Sequence, residues 1–335
     1  MKHKLKKDIQ LCGIGNGLVD LQYEVPHSII TELGLQAGQM TLVDTQSQRR
    51  TIDNLAGYKF NRCSGGSAAN TVIAFTQLGG KAAYKTVIGN DEPGRFYSGE
   101  FEQMGIMLRT QMLESHPTGT CLVLITPDSE RTMLTALGAS AEFSKSHVDE
   151  EIITRSEWLY IEGYKFSQFN STKAIYEATR IAIAGGTKVA VTFSDVFITE
   201  LFHNNLLYVA ENADLIFCNE AEAKSFTKAS DSEEAFRRLE VICPNIVVTY
   251  GSKGSKIKWY NQIHDIPAYK AQPIDTTGAG DMFAGAFLYG IFTTKNPLVA
   301  GHLASAASAR VVSQYGARLN EDIREIRDDI FGKFL

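Results

Sequence analysis

The chain alternates short apolar runs with longer stretches in which apolar residues recur every three or four positions. "IQLCGIG" leads into "SAANTVIAFTQLGG", and "AAYKTVIG" into "PGRFYSGEFEQMG". The same order resumes at "EWLYIEG" and runs through "NSTKAIYEATRIAIAGG", "TKVAVTFSD", "DLIFCNE" and "NIVVTYG". Apolar runs of strand length between helical patterns predict βαβ units and a parallel sheet buried on both faces. Two stretches, residues 21–62 and 108–137, break the order. There "GTCLVLITP" and "RTMLTALGA" alternate polar and apolar residues in the manner of antiparallel strands. They read as one small β appendage entered twice, or as edge hairpins of the main sheet. Beyond residue 278 the pattern is helical to the end, with no internal repeat or low-complexity linker.

Composition narrows the function classes. A chain of 335 residues suffices for one large α/β domain with an appendage. With 33 basic against 38 acidic residues and a formal net charge of -5, no basic field favours nucleic acid, and "MKHKLKK" is only a short charged tail. The five cysteines, Cys12, Cys63, Cys121, Cys218 and Cys243, are scattered without a C-x-x-C pair and read as buried thiols of a reducing compartment. No apolar stretch approaches the ~18 residues of a membrane span, and the basic start does not lead into a signal-peptide core. The expectation is a soluble, cytoplasmic protein with neither membrane nor nucleic acid as partner.

The candidate chemistry sits at predicted strand ends, where open α/β sheets bind ligands. In "DTTGAGD", residues 275–281, glycines admit a ligand close to the backbone, and the helix that follows presents N–H groups without intrahelical acceptors. That combination stabilises a transferring phosphoryl group, while Asp281 could take a proton from an attacking hydroxyl. A tight turn with an acidic helix cap would look the same, so the stretch does not decide alone. "GIGNGLVD" supplies Asn16 and Asp20, the latter able to accept two hydroxyls of a vicinal diol. Its glycines are spaced G-x-G-x-G, with Leu18 where a dinucleotide fingerprint needs its third glycine. In "SGGSAAN", Gly65 and Gly66 open a helix and Asn70 lies one turn in. "IFCNEAEA" places Asn219 and Glu222 on one helix face, able to orient waters around Mg2+, although an ordinary acidic first turn has the same pattern. The glycines of "TYGSKG", Gly251 and Gly254, leave room for a nucleotide, and no P-loop spacing occurs anywhere.

In this order the pieces resemble the PfkB or ribokinase-like family of carbohydrate and nucleoside kinases. "SGGSAANTVIAFTQLGGKAAYKTVIGND" is similar to its N-terminal signature and "DTTGAGDMFAGAFLYG" to its C-terminal one, and the resemblance runs from about Cys12 to Gly316. It implies a three-layer α/β/α sandwich with a mostly parallel sheet of about nine strands and a small β-sheet lid. The main domain would be 8–20, 63–107 and 138–335, and the lid 21–62 and 108–137. By the same resemblance Asp281 is the catalytic base, and the anion hole is built at Gly278, Ala279, Gly280 and Asp281. Asn16, Asp20, Gly65, Gly66 and Asn70 hold the sugar. Asn219 and Glu222 serve the Mg2+ of ATP through water, and Asn219, Thr249, Gly251 and Gly254 attend the nucleotide. Asp275 and Thr277 are candidates, with the segment around Gly316, for a monovalent cation such as K+.

The substrate follows less directly. Gly65 lies 45 residues beyond Asp20, a long first lid segment that resembles the adenosine kinase branch, as do "GNGLVD", "EGY" and "TFSD". The expectation is an ATP-dependent kinase of a nucleoside 5′-hydroxyl, adenosine or a relative. A free sugar or sugar acid such as ribose, fructose or 2-keto-3-deoxygluconate is the alternative, and a ligand-sensing homologue without catalysis a further one. Tyr23, Phe166, Phe169 and Phe193 are the aromatic candidates to stack on a base. The apolar "TCLVLIT" suggests an outer lid face that pairs between subunits, so a monomer and a homodimer both stay open.

Overall fold

The computed structural model describes residues 6–128, 130–319 and 321–335, so most of the basic tail lies outside it. In chain order the strands are β1 (Ile9–Ile14), β2 (Leu18–Glu24), β3 (Met40–Leu42), β4 (Phe60–Gly65), β5 (Ala82–Gly89), β6 (Met107–Leu113) and β7 (Gly119–Ile125). There follow β8 (Arg131–Ala136), β9 (Ser156–Glu162), β10 (Lys188–Thr192), β11 (Leu215–Asn219), β12 (Asn245–Thr249), β13 (Ser255–Trp259) and β14 (Gln262–Ile266). Nine of them form one sheet in the order β14-β13-β12-β11-β10-β9-β1-β5-β6, parallel except for the hairpin at β12-β13-β14. This is the mostly parallel sheet that the rhythm of the sequence predicts, in the α/β sandwich that the resemblance implies.

Burial on both faces explains the unbroken apolar runs. Leu11 of β1 faces a core shared with the helices Ser67–Gln77, Ala279–Thr294 and Pro297–Val311. Cys12 and Ile14 face the opposite core, under Phe169–Gly185, His203–Ala210, Glu220–Thr227 and Ser232–Ile242. The helix Ala279–Thr294 is buried at every position from Met282 to Ile291, which is why its sequence is apolar all round rather than striped. The strand order turns at β1, with β5 and β6 on one side and β9 to β12 on the other. Such a switch point opens a crevice at the carboxyl ends of the strands.

The second sheet, in order β3-β8-β7-β2-β4, stands over that crevice. Strand alternation divides its faces. Cys121, Val123, Met133 and Thr135 line the cavity beneath, while Leu122, Leu124 and Leu134 pack with Tyr23 and Val25 against Ile30, Leu55 and the helices His27–Glu32 and Thr45–Asn54. Three details differ from the sequence reading. The segment 21–62 carries these two helices besides strands. Met107–Leu113 pairs in parallel with β5 and extends the main sheet. The apolar side of "TCLVLIT" is covered by the chain's own helices. Four cysteines are buried, and Cys63 is half-buried. Among the described residues no helix is long and apolar enough to cross a membrane.

Candidate active site

A cavity of about 700 Å3 lies between the two sheets, and it gathers residues from widely separated strand ends. Asn16 follows β1, Asp20 lies in β2, Gly66 and Asn70 open the helix after β4, and Glu162 ends β9. Asn219 ends β11 and Glu222 follows it, and Asp275, Thr277, Gly278, Gly280 and Asp281 close the ring. A second cavity of about 520 Å3 contains Thr249, Gly251, Gly254 and Ala279 with Tyr269, Phe283 and Ser305. Pro273, Thr276 and Gly280 line both. The "DTTGAGD" stretch is therefore the boundary between two adjoining chambers, as transfer from a donor to an acceptor requires.

Asp281 stands in the first turn of Ala279–Thr294. The Ser67 hydroxyl donates to its Oδ1 at 2.6 Å and the Asn70 amide to its Oδ2 at 3.1 Å. Burial raises its carboxyl to about 6, against the lowering effect of these two bonds. It is thus oriented, and ionised at neutral pH. Gly278 holds φ at 73°, and a side chain there would collide with Ala317. The Ala279 N–H turns back to the Thr276 carbonyl at 3.2 Å. The N–H groups of Gly280 and Asp281 have no acceptor among the described residues, so the open anion-binding donors are these two.

The Asp20 side chain has no hydrogen-bond partner among the described residues, and its carboxylate fills the space beside Gly65. Burial first, then the charge of Asp281, lifts its carboxyl to about 6, while Arg318 and Arg131 oppose the rise. Gly66 has φ 104°, and an added Cβ would strike the Asn16 carbonyl oxygen. Only glycine turns the chain there. Asn16 is occupied inward: its backbone and side-chain amides donate to Glu162 Oε1 at 3.2 and 2.8 Å, and its Oδ1 accepts from Lys165 Nζ at 3.0 Å. Glu162 Oε2 also accepts from the Ala68 N–H at 2.9 Å, and Lys165 donates to the Ser140 carbonyl at 2.9 Å. Burial pushes Glu162 up and Lys165 down, each opposed by the other's charge. Asn16 therefore bridges a buried ionic pair and fixes the entry to β2.

Asn219 and Glu222 form a reciprocal capping box, with bonds of 2.6, 2.9 and 3.0 Å. Glu222 is nonetheless buried in the cavity wall with no basic side chain paired to it among the described residues, and burial, with Asp195 and Asp281 adding, raises it to about 7. Uncompensated carboxylates of this kind fit a hydrated Mg2+. The Asp275 carboxylate, a candidate for a monovalent cation, is engaged by groups of the chain itself. Its Oδ1 accepts from the Thr277 N–H at 2.9 Å, and its Oδ2 from Gly316 N–H at 2.7 Å. Arg131 Nη2 of the lid stands 2.8 Å from the same Oδ2, with both side chains almost fully buried. A guanidinium already supplies the positive charge there.

Sequence reasoning missed Ser67, Arg131, Glu162, Lys165, Tyr164, Ser194 and Asp195. Glu162 ends β9, and Ser194 and Asp195 lie just beyond Phe193 after β10, so the strand-end rule that found Asn16 and Asn219 would have found them. Ser194 holds φ 69°, a conformation that marks functional loops, and its Oγ accepts from the Gly163 N–H at 2.9 Å. The four aromatic candidates do not line the cavity. Tyr23 stacks on Phe60 in the lid, Phe166 and Phe193 are core residues, and Phe169 is exposed. Their place is taken by Tyr164 and by an apolar wall of Leu18, Met40, Leu42, Val123, Met133 and Leu137.

Comparison with known proteins agrees with this geometry. The family model described as pfkB family carbohydrate kinase matches residues 37–324. Adenosine kinase of Saccharomyces cerevisiae is 28% identical over 299 residues, covering 83% of this chain and 87% of its own. 5-Dehydro-2-deoxygluconokinase of Halalkalibacterium halodurans is 30% identical over 271 residues, covering 77% and 82%. The crystal structure of adenosine kinase from Sinorhizobium meliloti superposes with a TM-score of 0.89 at 29% identity, over 96% of this chain and 99% of that one. Two chambers meeting at an acid and a backbone anion site, under a lid, are the working parts of a phosphotransferase with an alcohol acceptor, and the chain belongs to the PfkB family of carbohydrate kinases.

Proposed function

We propose that the chain phosphorylates the hydroxymethyl group of a ribose-containing substrate with ATP as donor, and that the acceptor is a nucleoside, adenosine first. The observation that carries this reading is the two-ended character of the larger cavity. Asp20, Asn70 and Asp281 make one end polar, while six aliphatic or thioether side chains and Tyr164 wall the rest. A free sugar would leave that wall wet, whereas a nucleobase covers it. In this reading Asp20 accepts the ribose hydroxyls and Asp281 takes the proton of the attacking 5′-hydroxyl. The Gly280 and Asp281 N–H groups stabilise the negative charge that develops on the transferred group. Asn219 and Glu222 would hold Mg2+ through water, and the ion supplies charge neutralisation to the phosphates. The nucleotide lies along Thr249, Gly251 and Gly254. The helix-covered lid supports a monomer.

A free sugar or sugar acid is the second reading. What favours it is Arg131, whose buried Nε has no hydrogen-bond partner among the described residues and whose guanidinium borders the cavity, where it could pair with a substrate carboxylate. The deciding experiment measures ADP release with adenosine, other nucleosides, ribose, fructose and 2-keto-3-deoxygluconate, with Mg2+ and with K+ or choline. Adenosine should give the highest kcat/KM, unchanged when choline replaces K+. A sugar turned over more efficiently than any nucleoside overturns the nucleoside assignment, and no turnover across the panel favours a ligand sensor.

A further inference from the structure

At the end of the main sheet opposite both chambers, Trp158, Lys188, Trp259, Tyr260, Ile291 and Lys295 enclose a cleft of about 200 Å3. Trp158 and Lys188 are register partners near the starts of β9 and β10. Trp259 ends β13 and Tyr260 opens the turn to β14, while Ile291 and Lys295 lie at the far end of the helix that begins beside Asp281. The chain has two tryptophans, and both are here. The catalytic reading uses none of these residues.

The lining has a definite chemistry. Trp158 is anchored in the core, Trp259 is half-buried and meets Phe287 at 6.0 Å between ring centroids, and Tyr260 is 54% exposed. Lys188 Nζ stands 5.2 Å from the Trp158 ring and Lys295 Nζ 4.6 Å from that of Phe292. Neither lysine has a carboxylate within ion-pairing distance among the described residues, and no acid lines the cleft. Tyr260 and Lys295 hold φ at 51° and 56°, the first in the β13–β14 turn and the second as the C-cap of its helix. Flat aromatic walls with two uncompensated ammonium groups favour a ring that carries negative charge. The volume admits one ring system and is too small for a nucleotide.

We propose that this cleft is a second ligand site, for a small planar aromatic carboxylate. Because both indoles line it, intrinsic tryptophan fluorescence reports on it directly, without reference to turnover. The full chain is titrated with benzoate, and with cyclohexanecarboxylate, benzyl alcohol and sulfate as probes that lack the ring's planarity, the charge or the ring. Benzoate should change the emission saturably and the other three should not. The Lys188→Gln, Lys295→Gln double variant should weaken benzoate by about tenfold or more, as expected for the loss of two charge-assisted contacts, and keep the wild-type melting temperature and kinase rate. A non-saturable response, an equal response to cyclohexanecarboxylate, or unchanged affinity in the folded double variant overturns the proposal. None of these outcomes bears on which alcohol the enzyme phosphorylates.

Discussion

The Ser67 hydroxyl touches Asp281 at 2.6 Å and donates to no other acid, so Ser67→Ala is a selective way to ask whether Asp281 is the base. Hydrogen bonds to an ionised group contribute ~1.5–3 kcal/mol, and one pKa unit corresponds to ~1.4 kcal/mol. With Asn70 still donating and water free to enter, loss of the bond should raise the Asp281 pKa by about one unit. The base must be ionised to work, so activity is lost as pH falls through its pKa. The wild-type kcat/KM should therefore bend downward near about 6, and that of Ser67→Ala near about 7. At pH 7 the ionised fraction drops from ~90% to ~50%, roughly a twofold loss, and at pH 6 from ~50% to ~10%, roughly fivefold. The assay is ADP release at limiting acceptor across pH 5 to 9. Asp20 also titrates near about 6, and the variant separates the two because Ser67 does not contact Asp20. A limb that stays in place, or moves to lower pH, refutes the assignment of the base to Asp281.

Asp281→Asn keeps the shape and removes the proton acceptor, so kcat should fall by ~10²–10⁴-fold while ATP still binds by calorimetry. Arg131→Met leaves Asp275 buried without its counter-charge. It should cost ~3 kcal/mol or more in thermal or denaturant unfolding, and Asp275→Asn in the same chain should recover part of that. Gly66→Ala forces a side chain at φ 104° against the Asn16 carbonyl. The strain of ~1–3 kcal/mol should raise the KM for the acceptor well above any change in the KM for ATP. Lys165→Met strands Glu162 and the Asn16 oxygen, and should destabilise more than the Glu162→Gln, Lys165→Met double variant does.

Much of the main sheet was legible because burial on both faces leaves an unbroken apolar signature, as in β1, β5 and β9. Residues 108–113 fall within the expected lid for the converse reason. As the edge strand of the main sheet they are half exposed and lack the apolar signature of the inner strands. "DTTGAGD" and "SGGSAAN" were readable since backbone geometry, here φ 73° and φ 104°, demands glycine in a way that a string of letters records. A buried ionic bridge has no such signature. The strand-end position marks Glu162, but its pairing with Lys165 through Asn16, 146 and 149 residues away, leaves no trace in "EGYKF".

The same distinction explains why the reaction is easier to infer than the acceptor. The residues proposed as base and anion hole rest on a backbone turn that fixes residue types, and Asp20, proposed as the sugar anchor, sits near the start of β2 beside the glycine turn at Gly65 and Gly66. The wall that meets the rest of the substrate is made of Leu18, Met40, Leu42, Val123, Met133 and Leu137. These residues come from four lid strands and the turn after the last of them, and alternation alone decides which side faces the cavity. A one-residue register shift would present Leu122, Leu124 and Leu134 instead, equally apolar and indistinguishable in composition. On the proposed nucleoside reading, preference for a base over a bare sugar is thus written in strand pairing. Leu137→Arg, which places a charge in the wall without touching Asp20 or Asp281, should therefore depress nucleoside turnover far more than turnover of any free sugar the enzyme accepts.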